Sequence, residues 1–251
     1  MNLRVIRKIK KIHQYYSDSL KRIELQNQEI ISLNKELLWS EIYHDSIRDC
    51  KSLRSFSINV GRWAGNYTFF YLLFRILSSC RPNSILELGL GESTKFISTF
   101  IENEMTDCRH VVVEHDTSWH SNFNKQFTLG FKTRVELVDL VQKEFKGTKV
   151  TTYTDQLSNI AELYEFYVLD GPFGSDRYSR IDILSIVDRF PLDHEFVILF
   201  DDTHRNGERK TFNLLLEKLA DKGFEVHHTQ AQGIKDVSLV VSSSFKWLTS
   251  I

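Results

Sequence analysis

The 251-residue chain has only three cysteines, no glycine before Gly61, no proline before Pro82, and no long apolar run. Cys50, Cys80 and Cys108 are odd in number, far apart and without paired metal-ligand spacing, which suits reduced thiols of an intracellular protein better than a disulfide framework. The longest apolar stretch, Thr68 to Phe74, meets Arg75 and is far too short to span a bilayer. The opening "MNLRVIRKIKKIHQYY" is broken by charge too often to build a secretory signal. With 32 basic against 33 acidic residues the formal net charge is −1, so a dedicated nucleic-acid binder is not expected. The expectation is a cytoplasmic protein, soluble or membrane-peripheral, with one sizeable α/β domain and an appendage.

What is present begins with a helical pattern. Ile9, Tyr16, Ile23, Ile30 and Leu37 recur every seven residues, with Ile12 and Leu33 on an adjoining seam that Ser19 and Gln26 interrupt. This predicts a long helix within an extension over residues 1–56, able to pair as a coiled coil with a second copy or a partner. Arg4, Arg7, Lys8, Lys10 and Lys11 are interleaved with Val5, Ile6, Ile9 and Ile12, a pattern that also suits peripheral contact with an anionic membrane or simply a solvated face.

A domain over 57–251 is expected to follow. "NYTFFYLLFRIL" is apolar on nearly all sides and predicts a core helix, ended by "RPN". Strand candidates are 85–88, 111–114, 135–138, 166–169 and 196–200, with helical patterns between most of them, which predicts a mostly parallel sheet covered on both faces. Residues 150–153 compete with 135–138 for the third strand; the earlier stretch is favoured, because a helix over about 119–129 stopped by Gly130 leaves a connection of ordinary length, and the later stretch then suits a short extra strand. "FEVHHTQ" and "VSLVVSS" suit a closing antiparallel pair.

In such sheets ligands bind beyond the carboxyl ends of the strands. There "SILELGLGEST" places Gly89 and Gly91 after the first strand, with Ser93 or Thr94 able to cap the next helix. Lys95 comes four residues after Gly91, not directly after it, which argues against a Walker phosphate loop. Glu114 ends the second strand 23 residues after Gly91, where a carboxylate can accept hydrogen bonds from vicinal ribose hydroxyls. The missing third glycine and the extra carboxylate of Glu87 favour a nucleoside cofactor smaller than a dinucleotide.

"ILELGLGEST", "VVVEHD", "YVLDGP", "VILFDDTH" and a C-terminal strand pair, in this order, resemble the class I S-adenosylmethionine-dependent methyltransferases over about residues 82–245. The pattern is most similar to bacterial methyltransferase-like proteins of small-molecule or surface-glycan pathways. The resemblance implies a Rossmann-like, mostly parallel seven-stranded sheet whose last strand inserts antiparallel, and S-adenosylmethionine as cofactor. It further implies that Glu87, Gly89 and Gly91 surround the amino-acid part of the cofactor, Glu114 its ribose and Asp139 its adenine. His115 and Trp119 are candidates to shape the same pocket.

Asp170 follows the fourth strand of the sheet, and Asp201 and Asp202 the fifth. Clustered carboxylates repel, and a divalent cation would relieve that repulsion. The arrangement resembles the catechol type of O-methyltransferase, which implies Mg²⁺ on Asp170, Asp201 and Asp202, although Asp202 stands where that pattern has asparagine. Asp170, Asp202 and His204 are the candidate catalytic bases for deprotonating an acceptor, and Arg177, Arg180, Arg205 and Arg209 are candidates for binding an anionic small-molecule or glycan acceptor. Two alternatives stay open: a non-catalytic methyltransferase-fold module that recruits a partner or membrane, and a metal-dependent enzyme of other chemistry.

Overall fold

Strand runs alternate with helices from Ser84 onward, and seven of the strands join one sheet. The structure, a computed structural model, describes residues 3–61, 64–160 and 163–251; the side chains of residues 3–6 and of Ile9 fall outside the described set. The helices are α1 (Leu3–Ser46), α2 (Lys51–Arg54), α3 (Tyr67–Cys80), α4 (Glu92–Glu104), α5 (Thr117–Gln126), α6 (Leu157–Ile160), α7 (Asp182–Val187) and α8 (Asn206–Asp221), with a 3₁₀ segment over Ser243–Thr249. The strands are β1 (Ser84–Leu88), β2 (Arg109–Glu114), β3 (Thr133–Leu137), β4 (Leu140–Phe145), β5 (Thr148–Tyr153), β6 (Phe166–Leu169), β7 (Val197–Phe200), β8 (Val226–Gln232) and β9 (Asp236–Ser242).

The sheet order is β3-β2-β1-β6-β7-β9-β8, a mostly parallel, Rossmann-like sheet. β9 lies between β7 and β8 and runs antiparallel to both. The chain reverses direction across the sheet between β1 and β6, which opens a crevice at their carboxyl ends. β4 and β5 form a separate antiparallel hairpin that follows β3 directly. Residues 150–153 are therefore strand, but outside the main sheet, and 133–137 supplies the edge strand.

Period-two alternation divides the interior into two layers. Ile85, Phe166, Val168, Val197, Leu199 and Leu239 face α3, α4 and the end of α1. Leu86, Leu88, Tyr167, Leu169, Ile198 and Phe200 face the layer of α7 and α8. Asn66 starts α3 by accepting the Phe69 N–H at 3.2 Å, and Arg81, in the left-handed region at φ 48°, ends it before Pro82.

Among the described residues, α1 packs on the body through its last turns. Tyr43 and Ile47 join the core beside α3, and Trp39 Nε1 donates to the Gln232 carbonyl at 2.9 Å. Glu36 is buried and accepts from Tyr67 N (2.6 Å), Asn66 Nδ2 (2.7 Å), Ile234 N (3.1 Å) and Thr68 Oγ1 (3.3 Å). It ties α1 to the start of α3 and to the β8–β9 turn. Of the basic face predicted at the N-terminus, Arg7, Lys8, Lys10 and Lys11 are exposed, while Arg4, Val5, Ile6 and Ile9 lie outside the described side chains. No helix among the described residues is long and apolar enough to cross a membrane.

Candidate functional site

A cavity of about 600 Å³ opens at the carboxyl ends of β1, β2, β6 and β7, within the usual range for ligand sites. Gly89, Leu90, Glu114, His115 and Trp119 line one side, and Asp170, Phe173, Arg180, Asp202 and Arg205 line the other. Tyr153, from the extra hairpin, also lines it, and its hydroxyl donates to the Val113 carbonyl at 3.1 Å. Leu90, Trp119 and Asp170 are shared with a second cavity of about 330 Å³, which Gly91, Ser93, Lys95 and Asn59 help to line.

The glycine loop is shaped by a close approach of two backbones. Gly89 sits at φ 104°, and a Cβ there would meet Gly171 N at 3.2 Å and the Asp170 carbonyl carbon at 3.3 Å. Gly91 precedes α4 with open space around it, and its N–H donates to Thr94 Oγ1 at 3.0 Å. Trp119 is fixed by an Nε1 donation to the Leu90 carbonyl at 2.7 Å, and Asp116 caps α5 by accepting from Ser118 N and Trp119 N.

Glu114 is only 5% exposed, yet borders the cavity. Its Oε1 accepts from His115 N (2.7 Å) and Asp116 N (2.8 Å) and lies 3.0 Å from His115 Nδ1; Oε2 accepts only from Leu90 N (3.1 Å). The remaining acceptor capacity is therefore on Oε2.

Glu87 does not line either cavity. Strand alternation turns its side chain into the layer below α4, where it is fully buried, takes the Ser93 hydroxyl hydrogen bond and meets His110 Nε2 at 3.0 Å. Asp139 is exposed between β3 and β4 and is likewise not a lining residue. His204 is exposed in the turn after β7, with Nδ1 accepting from Asp236 N at 3.4 Å, and it too is absent from the cavity lining. Partial desolvation of the ring, with Arg205 and Lys235 nearby, depresses its pKa.

The three aspartates do converge, with one oxygen of each within 4.8 Å of the others. Cations of the chain already stand among them. Arg180 Nη2 donates to Asp202 Oδ2 at 2.9 Å and to Asp170 Oδ1 at 3.2 Å, while its Nη1 donates to the carbonyls of Asp201 and Leu169. Lys235 Nζ lies 3.4 Å from Asp202 Oδ1 and 3.9 Å from Asp201 Oδ2, and Arg205 Nη1 lies 3.0 Å from Asp202 Oδ2. Arg180 and Asp202 hold the left-handed backbone at φ 57° and 59°, conformations kept in non-glycine residues only where surroundings enforce them.

Burial and the neighbouring Asp201 charge push Asp170 up to about 8 against the pull of Arg180. Burial and Asp202 push Asp201 up to about 6. Burial also opposes ionisation of Asp202, but Arg180, Lys235 and Arg205 outweigh it and hold that carboxyl below its ordinary value. Three carboxylates thus face three fixed cations, and the raised pKa of Asp170 further reduces the negative charge near neutrality. This donor set does not fit Mg²⁺, because Arg180 already takes Asp170 Oδ1 and Asp202 Oδ2 and Lys235 stands beside Asp201 and Asp202, so the carboxylate charge a divalent ion would answer is already met by the chain.

Sequence reasoning missed Lys235, which reaches the cluster from the β8–β9 turn, and Phe173 and Tyr153 in the lining. Of the four arginines predicted for an anionic acceptor, Arg205 reaches the cavity rim and Arg180 is buried in the cluster; Arg177 and Arg209 are exposed and line neither cavity.

No family model matches the chain, and no curated protein matches it in sequence. Among solved structures, it is similar to an O-methyltransferase from Bacillus cereus in complex with SAH (15% identity, 81% of this chain and 91% of that one, TM-score 0.49). It is also similar to an SAH-bound methyltransferase from Podospora anserina (11% identity, 82% and 87%, TM-score 0.46) and to a precorrin-6y C5,15-methyltransferase from Geobacter metallireducens (14% identity, 76% and 96%, TM-score 0.44). The assignment of the fold rests on the strand order and register of this chain.

Proposed function

We propose that the chain is an S-adenosylmethionine-dependent methyltransferase that acts on an oxygen of a small-molecule or glycan-linked acceptor. The observation that carries this reading is the pair of cavities that share Leu90, Trp119 and Asp170, which brings a glycine loop, a buried carboxylate with acceptor capacity left and an aromatic face together with a carboxyl group able to take a proton. Gly89, Gly91, Trp119 and Glu114 Oε2 would hold the cofactor, whose sulfonium supplies an already activated methyl group when bound.

The rest of the work falls to the chain. The protein must align the acceptor and receive the hydroxyl proton. Asp170 borders both cavities, and its raised pKa makes it a competent base just above neutrality. Arg180 orients the Asp170 carboxylate through Oδ1. Arg205, partly exposed at the rim, offers a cation to an acceptor carrying a carboxylate or phosphate, such as a uronic or phosphorylated sugar.

Calorimetric titration with S-adenosylmethionine and with S-adenosylhomocysteine tests the reading. Binding to the parent chain, weakened at least tenfold in Glu114→Ala, is expected. A folded parent that binds neither ligand overturns it.

A further inference from the structure

We infer that α1 pairs in register and in parallel with α1 of a second copy, making the protein a dimer built on a two-helix stem. This inference stands apart from the proposed chemistry.

Counting about 100° per residue from Glu36, the anchoring residues Trp39, Tyr43 and Ile47 fall within about 60° of it. Tyr16, Ile23, Ile30 and Leu37 fall at about 100–160°, and Leu20, Asn27 and Asn34 at about 160–200°. The body of the protein therefore occupies one face of α1, and the apolar seam looks the opposite way. In heptad terms His13, Leu20, Asn27 and Asn34 take the a positions and Tyr16, Ile23, Ile30 and Leu37 the d positions, whereas Glu36, Trp39 and Tyr43 take outer c and f positions. A second helix can lie along the seam from Tyr16 to Leu37; beyond it Leu38 borders β8 and the next d position, His44, packs against Tyr67, so the stem ends where α1 docks.

The seam is exposed along its length: Tyr16, Leu20, Ile23, Ile30 and Leu37 are 52–66% exposed, and Ile31, Leu33 and Leu38 flank them with similar exposure. At roughly 60–100 Å² for each of these eight side chains, pairing would bury about 1,000–1,600 Å² in total, which reaches the range of specific interfaces. A solvated helix with this much apolar surface has little reason to persist alone, because tertiary or quaternary packing supplies most helical stability.

The occupant is argued from the polar residues in the seam. Asn27 and Asn34 at a positions would be left facing apolar groups by most partners and by an antiparallel copy. In a parallel, in-register pair each meets its own counterpart, and the two amides hydrogen-bond across the seam, the arrangement by which a-position asparagines select register and two strands. Lys10 is the one residue of the basic cluster 7–11 that borders the seam, at an e position; Arg7, Lys8 and Lys11 sit on the outer b, c and f positions.

The full chain in light scattering and sedimentation velocity is expected to show twice the 29.5 kDa chain mass at micromolar concentration. Ile23→Asp with Ile30→Asp, at exposed positions away from the docked turns, should give a monomer with unchanged near-ultraviolet circular dichroism. Asn27→Cys should oxidise to a covalent dimer at least tenfold faster than Gln28→Cys, which lies off the seam. A monomer at all concentrations, or a dimer indifferent to the paired aspartates, overturns the inference. A dimer whose Asn27→Cys form does not cross-link overturns the parallel register. Sedimentation of a monomeric chain with phosphatidylserine vesicles would assign the seam to a membrane surface instead.

Discussion

At Asp201 the fold holds a carboxyl with no exposed surface and no hydrogen bond to either oxygen, Lys235 at 3.9 Å being its nearest cation. Its pKa, raised to about 6, means the folded protein binds a proton that the unfolded chain has already lost. Stability from that proton is fully present below the unfolded value near 4 and is lost as pH rises through about 6. Asp201→Asn should therefore stabilise the protein at pH 8, on the order of 1–2 kcal/mol or a few degrees in Tm, and the gain should fade below pH 5. Thermal unfolding of both chains across this range measures it, and an equal effect at both ends would count against the buried charge. Asp170 gives a second pH signature. If it receives the acceptor proton, methyl transfer should rise as pH passes through about 8, and Asp170→Asn should lose at least 100-fold in rate while still binding S-adenosylhomocysteine. Arg180 gives a third. Because it stands where an ion would sit, Mg²⁺ or a chelator should shift the wild-type Tm by less than about 1 °C, whereas Arg180→Ala should lose about 3–5 kcal/mol and become stabilised by Mg²⁺. A clear Mg²⁺ stabilisation of the wild type would show that the guanidinium yields to the metal.

Among the elements, the β8–β9 turn links parts of the molecule that are far apart in sequence. It gives the Ile234 N–H to Glu36 of α1, the Lys235 carbonyl to Asn66 before α3, and the Lys235 ammonium to the acidic cluster. Gly233 sits so close to Glu36 and Thr68 that a Cβ would fall 2.3 Å from Glu36 Oε2. Replacing Glu36 with alanine leaves several buried donors without a partner, at a cost of about 2–4 kcal/mol. Denaturant unfolding should show that loss, and limited proteolysis should cut α1 faster. If α1 remains as protected as in the parent, Glu36 is not its anchor. The β4–β5 hairpin is the other element that sets the site. It packs Phe145 against Tyr178, with ring centroids 5.2 Å apart, and so braces the loop leading to Arg180 while Tyr153 closes the cavity from the side.

For the whole molecule, the cavity lies between two halves of the sheet, so a ligand there contacts loops from β1, β2, β6 and β7 at once. Saturating S-adenosylhomocysteine at about 100 times Kd should stabilise the fold by about 2.7 kcal/mol, which for a chain of this size is several degrees in Tm. No shift under calorimetric saturation would mean that the ligand binds the unfolded chain as well as the folded one. The architecture itself was largely legible in the chain. Hydrophobic runs near Ile85, Val111, Phe166 and Val197 are short, continuous and separated by helical periods, a pattern that a buried parallel sheet demands. The third strand was harder, because 133–137 and 148–153 carry similar β-forming residues and only pairing partners distinguish sheet from hairpin.

Local order in the chain determined the helix periods, the strand sequence, the glycine turn after β1, and the placement of Glu114, Asp170, Asp201 and Asp202 at strand ends, since each follows from neighbouring residues and their spacing. Direction and charge balance were decided only in three dimensions. The residue-by-residue alternation of β1 turns Glu87 under α4, the turn after β7 carries His204 past the cavity, and the loop between β3 and β4 leaves Asp139 outside it. Lys235 and Arg180 arrive at the aspartates from distant loops, and no spacing rule within one stretch can announce a cation supplied by another. The seam of α1 is likewise periodic in the sequence, but only the docking of Glu36, Trp39 and Tyr43 decides which face remains for a second helix.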